Sequence, residues 1–190
     1  MDLILIAGIF LVTLYYTVAL FHKDGVWKLE HGLFAFRFFT VQSNVLCAVA
    51  ALLMCFAGAL PGVWLLKYLG TVAVTVTLLT VFLFLGPNMG YKMLLQGRDL
   101  FMHLLTPLAA IVSFCVLEKR GLAFSTALLG MLPVALYSGL YLYKVLYAPK
   151  KKRWEDFYGF NKGGKWPLSL AAMLLGSFLL CVLFWKLQNL

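Results

Sequence analysis

Long apolar runs separated by short polar segments dominate the chain. They fall at residues 3–21, 33–60, 63–86, 100–117, 122–147 and 167–187. Each run is long enough to cross about 30 Å of hydrocarbon as an α-helix, and a helix satisfies its own backbone hydrogen bonds in lipid. The pattern therefore predicts an all-α bundle of six transmembrane helices that forms a single domain over residues 1–190.

Composition agrees with a membrane protein. Of the 190 residues, 63% are hydrophobic and 12% are charged, which excludes an ordinary soluble domain. The first run opens with Met1-Asp2 and ends in a poor cleavage site, so we interpret it as a retained helix and not as a signal peptide. The net charge of +9 would suggest nucleic acid for a soluble protein. Here it indicates membrane topology, and no nucleic-acid partner is predicted.

The basic residues are unevenly distributed between the two sides of the predicted bundle. Twelve of the 16 Lys and Arg residues lie in or beside loops one, three and five, and four lie toward the other side. Because cytoplasmic loops carry the excess of Lys and Arg, this predicts cytoplasmic odd-numbered loops and both termini outside or in the lumen. The excess depends mainly on the basic run at 150–153.

Two polar motifs interrupt the apolar runs. One is RFFTVQSN at 37–44, and the other is DLFMHLLTP at 99–107. Ionisable side chains inside a membrane are costly and therefore indicate a functional site. Pro107 and Pro133 each remove one backbone donor from a predicted helix, so we expect local kinks there.

Helical periodicity places the polar residues of each motif on one face. The first face consists of Arg37, Thr40 and Asn44, with Ser43 on its flank. The second is a stripe of Asp99, His103 and Thr106. Both helices start from odd-numbered loops, which places Thr40 and His103 roughly 6–11 Å below the same membrane surface at 1.5 Å per residue. The two side chains can meet if the helices are neighbours.

These residue types predict acyl transfer to water. A threonine hydroxyl needs an adjacent base, so Thr40 is the candidate nucleophile and neutral His103 its base. Asp99 is expected to orient the imidazole, and Asn44 and Arg37 are candidate donors to the oxyanion. A site at this depth suits a lipid ester. The hypothesis requires no metal, no cofactor and no obligate protein partner, and membrane lipids are the expected surroundings.

Several alternatives remain open from the residues alone. Polar side chains also hold membrane helices together, and Arg37 can extend to the interface. The same faces could line the cavity of a non-enzymatic lipid-binding or transport protein, or of an acyltransferase that uses an alcohol or amine acceptor. Cys47 is a weaker nucleophile candidate, and the four cysteines lie in apolar runs without metal-ligand or redox spacing.

Loop five, residues 148–166, is the main polar segment. Its basic run at 150–153 suits contact with anionic headgroups. The aromatic run that follows, WEDFYGF at 154–160, is first expected to lie at the interface as a belt. The alternative is a lid that folds back over a site on that side.

The motifs RFFTVQSN at 37–44 and HLLTP at 103–107 resemble those of the androgen-induced-protein-like family. These are small six-pass membrane proteins with many bacterial relatives. The resemblance covers the six-helix layout and implies an intramembrane threonine hydrolase of fatty acid esters of hydroxy fatty acids, with Thr40 as the catalytic threonine and His103 as the histidine. Loop five does not clearly match the animal members, and the role of Asp99 is not part of the resemblance.

Overall fold

The structure, a computed structural model, describes residues 2–190 and is built from six long helices. They are α1 (Asp2–Ala19), α2 (Phe39–Ala57), α3 (Pro61–Met89), α4 (Arg98–Leu117), α5 (Phe124–Tyr147) and α6 (Trp166–Gln188). Each is long and apolar enough to cross a membrane. The predicted all-α, six-helix fold of a multi-pass membrane protein is therefore confirmed.

Helix α3 lies at the centre of the bundle and contacts α2, α4, α5 and α6. Its middle turns are buried, with Tyr68, Val72 and Val74 fully excluded from the surface. Gly70 permits close packing of α2 on α3, because a Cβ there would lie 2.9 Å from the Cα of Cys47. On the other flank, α1 packs against α2 and α4. The π-helical turn of α4 also contacts α2 directly, so the two motif-bearing helices are neighbours.

The second helix begins later than the sequence predicts. A short hairpin, β1 (His22–Lys23) with β2 (Val26–Trp27), and a two-turn helix, Leu29–Ala35, come before α2. The apolar run from 33 is then broken by extended backbone at Phe38. Two polar side chains satisfy carbonyls at this break: Gln42 Nε2 donates to Phe36 at 2.7 Å, and Tyr137 Oη donates to Arg37 at 2.7 Å. Thr40 therefore lies in the first turn of α2, not deep inside a longer helix.

Pro107 and Pro133, where the sequence predicts kinks, each follow a local departure from α-helical geometry. A π-helical turn, Phe101–Leu105, comes directly before the segment that contains Pro107. A 3₁₀ turn, Leu129–Met131, comes before Pro133. Because proline has no N–H, each of these helices loses one backbone hydrogen bond, and the wider or tighter turn accommodates that loss. In α4 the wide turn carries His103.

A buried charge network joins three helices at the opposite end of the bundle. Lys67 on α3 is 6% exposed, and it pairs with Asp2 of α1 at 3.1 Å and with Glu118 after α4. Ser113 donates to the second oxygen of Asp2 at 2.7 Å, and Arg120 pairs with Glu118. Because each buried charge has an opposite partner, this network ties the ends of α1, α3 and α4 together.

Candidate active site

The structure brings Thr40 and His103 together. Thr40 Oγ1 lies 3.4 Å from Nε2 of His103. Thr40 is partly buried in the first turn of α2, and His103 is buried in the π-helical turn of α4. The separation is long for an O–H···N hydrogen bond, as is common in sites without a bound substrate. The two side chains thus meet, as the depth and direction of the motifs suggested.

A hydrogen bond to a backbone carbonyl fixes the tautomer of the His103 imidazole. Nδ1 of His103 lies 2.7 Å from the carbonyl oxygen of Leu94, which ends the short helix Tyr91–Leu94 in loop three. A carbonyl oxygen can only accept, so Nδ1 carries the proton. In the neutral ring, the lone pair is then on Nε2, which faces Thr40. The imidazole is therefore oriented as a base toward the hydroxyl.

The orienting role expected for Asp99 is wrong. Its carboxylate lies 3.4 Å from Nε of Arg98, at the half-exposed start of α4, and the Leu94 carbonyl accepts the hydrogen bond from Nδ1 of His103 instead. The helical stripe does hold Asp99 near the imidazole, and both line the same cavity. The Leu94 carbonyl in loop three, however, is the closer hydrogen-bond acceptor for the imidazole.

Asn44 and Ser43 are both committed to backbone and helix contacts. The Asn44 amide is fully buried and donates both of its N–H groups, to the Thr40 carbonyl at 2.8 Å and to the Met102 carbonyl at 3.0 Å. Ser43 contacts the Thr40 carbonyl at 3.1 Å and the Thr77 hydroxyl at 2.9 Å. The expected oxyanion role of Asn44 is therefore wrong, since it has no free donor. Both residues position Thr40.

Arg37 also differs from expectation. It lies in the turn before α2, and its guanidinium stacks 4.5 Å from the centre of the Phe34 ring and 5.9 Å from that of Trp154. The break in the apolar run removes Arg37 from the helical face that carries Thr40. Its charge rests on aromatic rings, and Arg37 does not line either cavity beside Thr40, so the structure gives no support to the oxyanion role expected for it.

Loop five folds back onto the bundle. Phe157, Tyr158 and Phe160 are partly buried and pack against the apolar core. Tyr158 Oη accepts a hydrogen bond from the N–H of Phe39 at 3.0 Å, at the start of α2. The belt interpretation of this aromatic run is therefore wrong, and the lid interpretation describes its position.

Thr40 lies where two cavities meet. The apolar cavity, about 150 Å³, reaches the lipid-facing surface at Phe84 and Ala172. The polar cavity, about 390 Å³, contains His31, Arg98, Asp99 and His103, and it opens beside exposed Phe34 and Met89. Both cavities are lined by Thr40, Tyr158 and Leu85. The hydroxyl therefore borders the apolar cavity and also a second, largely apolar-walled cavity that carries the charged and imidazole side chains.

Other candidate chemistry does not converge on this site. Cys47 is buried where α2 approaches Gly70 of α3. Within residues 2–190, no group of three or more His, Cys, Asp or Glu side chains is arranged to hold a metal ion.

Sequence reasoning missed two elements of the site. One is the carbonyl of Leu94, which no side-chain pattern can reveal. The other is the hydroxyl of Tyr158, which is separated from Phe39 by 119 positions. The aromatic run in loop five was the only available signal for it, and the pattern of that run favoured an interfacial belt.

No protein-family model, no curated protein and no solved structure matches this chain.

Proposed function

We propose that this protein is an intramembrane hydrolase of lipid esters, with Thr40 as nucleophile and His103 as general base. One observation carries the proposal. Nδ1 of His103 is 2.7 Å from a backbone carbonyl, which leaves the lone pair of Nε2 facing the Thr40 hydroxyl at 3.4 Å. A hydroxyl paired with an oriented imidazole is the arrangement of nucleophilic acyl transfer.

The first half of the reaction acylates the enzyme. Thr40 Oγ1 attacks the ester carbonyl carbon while its proton passes to Nε2 of His103. The carbonyl electron pair moves to oxygen and gives a tetrahedral oxyanion close to the N-terminus of α2, where the helix dipole favours negative charge. As the intermediate collapses, the bond to the alcohol oxygen breaks. His103 returns the proton to that leaving oxygen.

The second half releases the acid. Water attacks the Thr40 ester and gives its proton to Nε2 of His103, and the tetrahedral intermediate then expels the threonine oxygen. That oxygen recovers its proton from the imidazole. The products are a free alcohol and a carboxylic acid, and the enzyme returns to its starting state.

The two cavities support a lipid ester as substrate. The apolar cavity leads from Thr40 to the lipid-facing surface, so an acyl chain can lie in it and extend into the bilayer. The polar cavity lies on the opposite side of Thr40 and suits the alcohol portion and the attacking water. Fatty acid esters of hydroxy fatty acids, the substrates implied by the family resemblance, are the first compounds to test. Membership of that family is part of the proposal.

We further propose that the odd-numbered loops face the cytoplasm, because they carry most of the basic residues. The polar cavity would then open on the cytoplasmic side, beside the basic run of loop five. Labelling of single cysteines introduced into loop five should then require a permeable reagent.

Mutant kinetics in lipid nanodiscs test the proposal. Thr40→Ala and His103→Ala should each reduce turnover by at least about 10³-fold, and the double variant should lose little more, because each member of the pair is needed for the other's contribution. Thr40→Ser should keep part of the activity. Thr75→Ala is a matched control, since Thr75 is buried and donates within its own helix at 2.7 Å. Full turnover by Thr40→Ala would refute the assignment.

Two other outcomes separate the rival functions. A non-enzymatic lipid-binding protein would bind lipid esters without cleaving them, and a fluorophosphonate probe would not label it. An acyltransferase would consume the same ester but pass the acyl group to an added alcohol or amine. Analysis of the acyl product distinguishes that reaction from hydrolysis.

A further inference from the structure

A hydrogen-bonded clasp fixes the backbone of loop five beside the site. The Tyr141 hydroxyl on α5 accepts from the N–H of Tyr158 at 3.0 Å and donates to Asp156 at 2.8 Å. Asp156 also accepts from the N–H of Phe160 at 2.8 Å. These hydrogen bonds fix the backbone on either side of Tyr158, and they hold its ring in place together with apolar packing.

The Tyr158 hydroxyl is aimed at the start of α2. Its oxygen accepts from the N–H of Phe39 at 3.0 Å, so its own proton is free to be donated elsewhere. Phe39 directly precedes Thr40 in the first turn of α2, and Tyr158 and Thr40 both line the two cavities. The nearby Tyr137 hydroxyl already donates its proton to a carbonyl at 2.7 Å. The Tyr158 hydroxyl thus lies at the turn of α2 that carries Thr40.

We propose that Tyr158 is a further catalytic residue, whose hydroxyl donates a hydrogen bond to the oxyanion formed when Thr40 attacks the ester. This inference rests on the proposed function. When Thr40 Oγ1 bonds to the ester carbonyl carbon, the carbonyl electron pair moves to the carbonyl oxygen. That oxygen is one bond from the attacked carbon and comes within reach of the Tyr158 hydroxyl. Tyr158 keeps its proton throughout. The proton of Thr40 passes to His103, and the oxyanion pair re-forms the carbonyl when the alcohol leaves.

The protonation of the phenol fits this role. Burial raises the pKa of Tyr158 above its ordinary value, and the hydrogen bond from Phe39 opposes that rise only in part. The neutral phenol, which is the form that can donate, therefore persists well above neutral pH. The titratable and charged groups around it are Tyr137 and Tyr141 on α5, Asp156 on its own loop and, across the polar cavity, His31, Arg98, Asp99 and His103.

Tyr158→Phe tests the proposal with the smallest change in packing. Loss of one oxyanion donor should reduce kcat by roughly 10²–10³-fold while KM stays close to wild type. A trifluoromethyl ketone with the same acyl chain, which forms a tetrahedral adduct on the nucleophile, should lose affinity by a similar factor. The corresponding hydrocarbon should bind as before. The control is Tyr143→Phe, because Tyr143 is an exposed α5 tyrosine outside both cavities. Wild-type kcat and ketone affinity in Tyr158→Phe would overturn the inference.

A second substitution guards against misfolding, since Tyr158→Phe leaves the Phe39 N–H without its acceptor. A fluorinated tyrosine at position 158 keeps the size of the ring but ionises at lower pH. A phenolate cannot donate, so the alkaline loss of kcat should move to lower pH. An unchanged pH profile would show that Tyr158 is only structural. If instead Thr40→Ala retains full turnover, the proposed function itself fails, which is a separate result.

Discussion

Asn44 provides the sharpest test of how the two halves of the site are held together. Its amide nitrogen donates to the Thr40 carbonyl at 2.8 Å and to the Met102 carbonyl at 3.0 Å, one residue before His103. The Met102 carbonyl needs this donor. In the π-helical turn, the N–H of Thr106 bonds to Phe101, and the following residue is proline, which has no N–H. Asn44 therefore supplies the bond that the α4 backbone lacks, and it sets the relative position of Thr40 and His103.

The magnitude follows from these contacts. In Asn44→Ala both bonds are lost, but the Thr40 carbonyl keeps the Ser43 hydroxyl at 3.1 Å, so only the Met102 carbonyl is left unsatisfied. Hydrogen bonds between membrane helices contribute about 0.6 kcal/mol each, and an orphaned buried carbonyl costs about 1–3 kcal/mol. We expect a loss of about 1–3 kcal/mol in stability. The expected loss in turnover is larger, about 10²-fold, because a shift of about 1 Å between nucleophile and base has that effect.

Thermal unfolding in detergent and ester turnover, measured on the same samples, test this prediction. Ser43→Ala is the matched comparison, since it removes an α2–α3 contact and one donor to the Thr40 carbonyl but leaves both bonds from Asn44, including the one to α4, intact. Its turnover should fall much less than that of Asn44→Ala. If Asn44→Ala keeps wild-type turnover, or loses activity only in proportion to unfolded protein, Asn44 does not align the pair.

Three further predictions concern the surroundings of the site. Asp99→Asn should leave turnover near wild type, because a backbone carbonyl holds the imidazole; a loss of 10²-fold or more would restore the carboxylate as the orienting group. Lys67→Met should cost about 3 kcal/mol in thermal unfolding, because it leaves the partly buried Asp2 without its cation and Glu118 with Arg120 alone, yet turnover of the folded protein should persist. Finally, the pKa of Tyr158 is higher in the folded protein than in the unfolded chain, so the folded protein binds the phenol proton more tightly. The stability that this proton contributes is complete below the pKa of the unfolded chain, about 10, and is lost as pH rises through the folded pKa. Melting curves of wild type and Tyr158→Phe should therefore converge or cross at alkaline pH, and a constant difference between them would contradict this.

Hydropathy alone was sufficient to predict the six helices, because each must be apolar over a membrane thickness. It was not sufficient to locate the start of α2. The residues around Phe38 are aromatic and continue the apolar run, while the break depends on carbonyl contacts from Gln42 and from distant Tyr137. Arg37 was misassigned for this reason, since its predicted face assumed an uninterrupted helix.

The pairing of Thr40 with His103 could be inferred because helix direction and depth are properties of the sequence. The atom that orients His103, the carbonyl oxygen of Leu94, could not be inferred, because it belongs to the backbone of a loop. For Asn44, helical spacing placed the residue near Thr40 correctly. Its hydrogen bonds, however, depend on a carbonyl freed by Pro107 on another helix. The folding of loop five onto the bundle likewise depends on a tertiary hydrogen bond from Tyr141 to Asp156.

Mapping of the residue that a fluorophosphonate labels is the most direct test of whether Thr40 is the nucleophile. The protein in nanodiscs would be treated with a lipid-like fluorophosphonate, digested and sequenced by mass spectrometry. The account predicts a single adduct on Thr40, abolished by Thr40→Ala and strongly slowed by His103→Ala. An adduct on Ser43 or Cys47, or ester turnover without any adduct on Thr40, would contradict it.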